Sequence, residues 1–219
     1  MKKLVFASLA MVLAVAASAG VIYDLNMDMY AEGDIVVVEG AVVTAVRSSG
    51  FSITENANGP YGACWVYTGT GNHSNVIGDV VNLTGEYDDY YGLTEIKNLT
   101  QLDTVGNAPV DPFAISAAGL AADHEAFEAC VISIGNDFTV DELLSYGEWL
   151  ATADDGTQLQ FDDYWFDESG LAVGDCFAGP KGMYTYTYSA FKLNPFADGV
   201  GECGVATANS SFSLIKSLY

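Results

Sequence analysis

The hydrophobic and polar positions of the chain alternate in short runs, a pattern typical of half-buried β-strands rather than of helices. Residues 34–46 are rich in valine and carry Gly40 in the middle, where a glycine often marks a bulge or a bend. Four further runs follow at 51–54, 64–67, 80–85 and 93–96. Turn-forming residues such as 56–60 separate them. This pattern predicts five short strands, the first of them bent.

Five strands in this order, with a long connection before the fourth, are compatible with the Greek-key barrel called the OB-fold. Residues 34–100 resemble OB-fold modules of secreted bacterial proteins, notably the module that precedes the catalytic domain in extracellular nucleases. The resemblance is carried by the segments 33–45, 50–53, 65–69, 77–85 and 91–94. It implies a five-stranded barrel over 20–105, but it implies no activity, because one fold hosts many functions.

Parts of the second half repeat the pattern of the first half. Residues 173–177 echo 77–81, and each stretch is followed by a glycine and two tyrosines, which are Tyr87 and Tyr91 in one case and Tyr184 and Tyr188 in the other. We therefore expect an all-β chain with a second, diverged OB-like barrel at 124–205, a linker at 106–123 and a tail at 206–219. One continuous β-sandwich is the alternative, and the tail has the pattern of either a short helix or a strand.

The N-terminus has the pattern of a cleaved export signal. Lys2 and Lys3 precede a nearly unbroken apolar run over 4–16, and Ala17-Ser18-Ala19 matches the small-x-small pattern of a cleavage site. The apolar run is shorter than the roughly 20 residues of a membrane-spanning helix. We expect residues 1–19 to be removed and the protein to be secreted or periplasmic in a bacterial-type cell.

The charge of the chain is strongly negative. It has 7 Lys+Arg against 29 Asp+Glu, a net charge of −22. Such a charge repels a phosphate backbone at long range, so the sequence disfavours nucleic acid and favours a protein or a carbohydrate as the partner. Half of the residues are hydrophobic, which is enough for a sizeable core.

The four cysteines all follow the export signal, and an even number outside the cytoplasm favours disulfides. The first and fourth strands pair in an OB barrel, and the internal repeat aligns Cys130 and Cys176 with those strands. We therefore predict the bond Cys130–Cys176, which leaves Cys64–Cys203 by elimination. The alternative joins Cys176 to Cys203 and Cys64 to Cys130.

Catalytic and metal chemistry find little support in the residues. His73 and His124 are far apart and lie in different predicted units, and no nucleophile motif or phosphate-binding loop accompanies them. The catalytic domain of the resembling nucleases is also missing from this sequence, so we expect no enzyme and no cofactor. Acidic pairs that could favour calcium lack the spacing of a calcium loop, and they lie at 88–89, 162–163 and 167–168.

Aromatic residues of the first unit are the candidate ligand-binding set, because OB-folds use such residues as stacking platforms around strands two and three. The candidates are Phe51, Trp65, Tyr67, Tyr87 and Tyr91. Packing in the core is the competing explanation for aromatic residues in strands. The sequence thus favours a non-catalytic binding or adhesion module. The alternatives are a structural subunit of an extracellular assembly or an accessory nucleic-acid-binding protein.

Overall fold

The structure is a computed structural model that describes residues 20–55, 58–165, 170–197 and 199–203. The predicted export signal at 1–19 and the predicted tail at 206–219 lie outside the described residues. Within the described part, no helix has the length and apolar character needed to cross a membrane.

The described residues form mostly strands, with two short α-helices and two short 3-10 helices. The α-helices are α1 Val21–Asn26 and α2 Ala117–Ala122, and the 3-10 helices are Glu125–Phe127 and Ser145–Gly147. The first five strands are β1 Ile35–Arg47, β2 Gly50–Thr54, β3 Ala63–Tyr67, β4 Asp79–Tyr90 and β5 Leu93–Asn107. The other strands are β6 Phe113–Ile115, β7 Val131–Ile134, β8 Asp137–Leu143, β9 Glu148–Ala153, β10 Gln158–Asp162, β11 Cys176–Ala178, β12 Lys181–Thr187, β13 Ala190–Pro195 and β14 Gly201–Glu202.

The first five strands close into a barrel in the order β1-β2-β3-β5-β4. The long strand β1 pairs with β4 through its first half and with β2 through its second half, and the register shifts between Val38 and Ala41. Gly40 lies at that shift with a φ of +71°, a backbone conformation that glycine adopts without steric cost. The bend predicted at Gly40 is therefore present, and the closed order with a parallel β3–β5 contact is OB-like.

The remaining strands form one sheet in the order β14-β11-β8-β9-β10-β13-β12-β7-β6, which curls into a half-barrel. Its core is aromatic: the rings of Phe138, Phe161 and Phe177 lie 5.1–5.5 Å apart, and Trp149 stacks on Phe161. The predicted class, all-β with OB-like sheets and a diverged second unit, is confirmed. The second unit differs from a closed ring because β6, β11 and β14 extend it to nine strands and leave it open.

The segment 106–123, expected to be a linker, contributes structure to the second sheet. Residues of β6 pair in parallel with β7, so that Phe113 lies opposite Ile132. Helix α2 follows, and the Ser116 side chain caps it by accepting a hydrogen bond from the Gly119 N–H. The alanine-rich stretch therefore forms a short helix, and its residue Leu120 is buried.

The disulfide prediction is wrong. The structure joins Cys176 to Cys203, with their Cα atoms 5.7 Å apart, and Cys64 and Cys130 are free and buried thiols. The repeat alignment is shifted: Cys130 precedes β7, which pairs with β12 and β6, whereas Cys176 begins β11 and lies opposite Thr139 of β8. Cys130 and Cys176 therefore lie on strands that do not pair.

Candidate functional site

The five aromatic candidates do not form one surface. Phe51, Trp65 and Tyr87 are buried, so their rings are not accessible to a ligand in this structure. Tyr67 is 45% exposed at the end of β3, and Tyr91 is 86% exposed in the turn between β4 and β5. The two accessible tyrosines belong to separate parts of the barrel surface.

The outer face of β2 and β3 is buried because the second unit covers it. The Ser52 hydroxyl donates a hydrogen bond to the Ala129 carbonyl at 2.6 Å, and the Tyr61 N–H donates to the Ala126 carbonyl at 2.5 Å. The Trp65 ring meets Trp165 edge to face, with ring centroids 6.2 Å apart. The face that OB-folds commonly use for ligands is here part of the contact between the two sheets.

Two carboxyl groups are buried along this contact, and the sequence pattern had not singled them out. Oε1 of Glu128 accepts a hydrogen bond from the Thr94 N–H at 2.8 Å, while its Oε2 is buried without a partner among the described residues. Burial raises the pKa of Glu128 to about 8. Burial, and then the charge of Asp88, raise the pKa of Glu95 to about 7.

An open groove of about 500 Å³ lies on the other side of the barrel, where β3 and β5 separate. The two strands pair only at Trp65 with Glu95 and at Val66 with Ile96. Beyond Ile96, β5 continues alongside β4 to Asn107. The groove is lined by Tyr67, Thr68, Asn72, Asn98, Leu99, Thr100, Gln101 and Leu102.

The groove runs along an unpaired strand edge. From 101 to 107, β5 pairs with β4 on one side, with register shifts at 98–100 and near Val105, and no strand among the described residues pairs with the other side. Proteins usually protect such an edge with lysine, proline, a bulge or a very short strand. The stretch 98–107 contains these two irregularities, but it has no proline and no lysine, and Asp103 is its one charged residue. Between the two shifts, from Gln101 to Thr104, half of the backbone N–H and C=O groups face away from β4 and are free to bind another strand.

The side chains that line the groove are uncharged and held by their neighbours. The Asn72 amide donates to the Thr68 carbonyl at 3.0 Å, and the Asn98 amide donates to Glu86 at 3.1 Å. The Gln101 amide donates to Asp103 at 2.7 Å. These contacts fix the amide groups before any ligand arrives, which lowers the entropy that binding must overcome.

The two histidines have structural surroundings and lie in different parts of the molecule. His73 contacts the Arg47 carbonyl through Nε2 at 2.7 Å and packs against the Phe51 ring. His124 contacts the Tyr184 hydroxyl and stacks on the Phe191 ring. Burial lowers the pKa of His124.

The acidic pairs are engaged in ion pairs or lie outside the described residues. Asp88 pairs with Lys97 at 2.8 Å, and Asp162 lies 3.4 Å from the buried Lys192. In the described part of the chain, no three His, Cys, Asp or Glu side chains are grouped so that they could hold a metal ion. The pair at 167–168 is outside that part.

Comparison with known protein families finds no match, and comparison with curated proteins finds none either. Solved structures similar to this chain include the p204 HINb domain, at 11% identity over 74% of this chain and 93% of that chain, with a TM-score of 0.35. A murine DNA-binding protein bound to double-stranded DNA is similar at 11% identity over 74% and 93%, with a TM-score of 0.34. The Ifi202 HINa domain in complex with double-stranded DNA is similar at 10% identity over 74% and 92%, with a TM-score of 0.30.

Two of the similar structures contain bound double-stranded DNA. The sequence disfavoured nucleic acid as a partner because of the net charge, and that expectation is corrected. The expectation is wrong as a general exclusion, because a net charge averages over the whole surface and does not decide what one face binds.

Proposed function

We propose that this protein is an exported, non-catalytic binding module that takes up an extended segment of another polypeptide in the groove beside β5. The observation that carries the proposal is the edge of β5 from Asn98 onward, which no described strand pairs with and which has neither lysine nor proline. An extended segment adds to such an edge as a further strand, and backbone hydrogen bonds supply the affinity.

The dimensions of the groove suit a short segment. Its β5 wall runs from Asn98 to Leu102, five residues that would span about 17 Å if fully extended and span less because of the irregularity at 98–100. The Tyr67 ring stands at the opposite wall, while Leu99 and Leu102 are half-buried within it. Alternate side chains of a bound segment would face this apolar wall, which gives the site a means of selecting sequences.

Export and the lack of catalysis belong to the same proposal. The residue pattern at 1–19 supports export, and the disulfide Cys176–Cys203 fits an oxidising compartment. A relation to OB-like modules of secreted nucleases is also proposed, on the residues that carry the resemblance. Strand addition serves adhesion to a partner, and it equally serves assembly if the added strand comes from a neighbouring subunit.

A neutral carbohydrate is the second candidate ligand, and a specific observation favours it. The groove is lined by amides, hydroxyls and one accessible tyrosine, with no charged side chain, in a chain whose net charge is −22. Such groups hydrogen-bond to sugar hydroxyls, and the Tyr67 ring could stack on a sugar face.

Screening the mature protein against a random heptapeptide library, an oligosaccharide array and single- and double-stranded oligonucleotides tests the proposal. We expect saturable peptide binding that Tyr67→Ala weakens about tenfold, a loss of roughly 1.4 kcal/mol. Thr100→Lys, which places a charge on the free edge, should weaken it further.

Two variants serve as controls for this screen. Thr139→Lys changes an exposed threonine of β8, a strand paired on both sides, and Tyr146→Ala removes an exposed tyrosine outside the groove. Both should bind peptide like the wild type. Saturable binding of an oligosaccharide or an oligonucleotide with no bound peptide would overturn the polypeptide proposal, as would peptide binding that neither groove variant weakens.

A further inference from the structure

Three exposed tyrosines occupy turns in a backbone conformation that bulky residues rarely adopt. Tyr91, Tyr146 and Tyr188 have φ values of +55°, +65° and +51°, and they are 86%, 95% and 96% exposed. A positive φ favours glycine, asparagine or aspartate, because it brings Cβ close to the backbone. A ring so exposed gains little from packing, so the fold itself does not account for these tyrosines.

Two of these tyrosines begin equivalent two-residue turns, one in each sheet. Tyr91 and Gly92 join β4 to β5, and Tyr188 and Ser189 join β12 to β13. Both residues of each turn have positive φ, as in the type I′ turn, where Asn-Gly is the preferred sequence. A tyrosine stands in both turns where asparagine would suit the backbone better.

The two turns meet at one end of the molecule. A Cβ atom on Gly92 would lie only 2.7 Å from the Tyr186 ring, and Tyr186 is two residues before Tyr188 on the same hairpin. Tyr90, which is also exposed, holds its ring 4.9 Å from that of Tyr91. We call the exposed rings of Tyr90, Tyr91 and Tyr188 the tyrosine end.

The third tyrosine lies in a different turn of the second sheet. Tyr146 precedes β9, whose first residue, Glu148, pairs with Asp162 at the end of β10. Because β10 and β13 are parallel and Phe161 lies beside Leu193, the backbone at that end of β10 is about five residues, or about 16 Å along the strands, from the Tyr188 turn. Tyr146 therefore offers a control with the same residue, backbone and exposure at another place.

The surroundings of the tyrosine end are acidic. Asp89 directly precedes Tyr90. Burial raises the pKa of the Glu125 carboxyl, and the negative charges of Asp123, Asp28 and Asp89 raise it further. The ammonium group of Lys192 lies 5.5 Å from the Tyr188 ring.

That ammonium group does not make the tyrosine end positive. Lys192 is buried and bound to two carboxylates, Glu148 and Asp162. The three groups together carry one negative charge when all are ionised.

We propose that the tyrosine end docks a basic, lysine- or arginine-containing segment of a partner protein. The faces of tyrosine rings attract ammonium and guanidinium groups, and the neighbouring carboxylates complement the charge of the partner. Tyrosine also offers a large contact area with few rotatable bonds, which is why it is frequent in protein-binding loops. Tyr90 and Tyr91 stand at 80° to one another, which fits side chains arriving from different directions rather than a flat sugar ring.

Titration of the mature protein with a nona-arginine peptide, followed by calorimetry at low and at high salt, tests this docking surface. The variant Tyr91→Asn/Tyr188→Asn keeps residues that suit the turns, so it should remain folded. We expect it to bind the peptide at least tenfold more weakly than the wild type at both salt concentrations. Tyr146→Asn, the control in a different turn, should bind like the wild type.

Several results would overturn the proposal. Equal affinity for all three proteins would show that the peptide senses only the overall negative charge, as would wild-type binding that disappears at high salt. Competition by a neutral oligosaccharide at the tyrosine end would identify a carbohydrate surface instead. Tyr67→Ala should leave arginine-peptide binding unchanged, so this test and the test of the β5 groove can fail independently.

Discussion

The barrel and the open sheet resolve the same problem of exposed strand edges in different ways. In the barrel, β1 pairs with both β2 and β4, so closure removes most of the edge. The open sheet ends instead in the very short strands β6 and β14, of three and two residues, and the disulfide Cys176–Cys203 links the strand next to β14 with the residue that follows β14.

Against these two solutions, the long free edge of β5 is an exception. It lies in the barrel, the region whose closure otherwise leaves few unpaired groups, and it is about ten residues long, with register shifts at 98–100 and near Val105 but without proline or lysine. The regular stretch between the two shifts, from Gln101 to Thr104, remains open to another strand. The comparison therefore points to binding as the reason for the edge.

The largest effect that we predict concerns the contact between the two regions. Glu128 has a folded pKa of about 8, raised by burial above its ordinary value of 4.5. The folded state therefore binds the proton more tightly, and the stabilisation present below pH 4.5 is lost as the pH rises to 8. This loss is on the order of 5 kcal/mol.

Glu128→Gln separates the contribution of Glu128 to the pH dependence of stability from the contributions of other titrating groups, including Glu95. The variant keeps the oxygen that accepts from the Thr94 N–H but cannot ionise. Urea unfolding at a series of pH values should show a wild-type free energy of unfolding that falls more steeply from pH 4.5 to 8 than that of the variant. Parallel curves would mean that Glu128 is not buried at a contact between the sheets.

The next effect tests how the open sheet is held at its edge. Replacing Cys176 and Cys203 by serine removes a link across 27 residues, which is worth about 3.5 kcal/mol on the chain-entropy relation. Thermal unfolding should show the loss. Adding reductant to the wild type should reproduce it, because Cys64 and Cys130 are free thiols that reductant leaves unchanged. A reductant-insensitive unfolding temperature would contradict the pairing.

A smaller effect of opposite sign is expected at the turns shared by the two regions. Tyr91→Asn places a residue that tolerates positive φ in the turn between β4 and β5, and we expect it to stabilise the protein by about 0.5 kcal/mol. Denaturant unfolding measures the change, and Tyr90→Asn, outside the two-residue turn, is the matched control. A destabilised Tyr91→Asn protein would show that the exposed ring contributes to folding after all.

The sequence predicted the fold better than it predicted the site. Alternation, glycine positions and turn residues are local, so the strands near 51–54 and 64–67 and the bend at Gly40 were readable. The Asp154-Asp155-Gly156 turn between β9 and β10 also follows from local signals. Strand pairing is not local, and the predicted disulfide is wrong because β7 pairs with β12 and β6 rather than with β11.

Exposure of the aromatic residues could not be read from the sequence for the same reason. Trp65 and Tyr67 lie two residues apart on β3. Trp165, which is 100 residues away in the sequence, packs against Trp65, whereas Tyr67 lines the groove. The free edge of β5 depends on where its pairing with β3 ends, which no local pattern specifies. A useful signal was present in Tyr-Gly, which precedes β3, β5 and β9 and marks turns with positive φ.

The most direct test of the central claim is amide hydrogen exchange of the mature protein, with and without a heptapeptide selected for saturable binding. If the peptide adds to β5 as a strand, the amides from Asn98 to Leu102 that face away from β4 should exchange more slowly in the complex, because they become hydrogen-bonded. The amides of β8, already paired on both sides, should not change. Saturable peptide binding without protection at 98–102 would contradict the account.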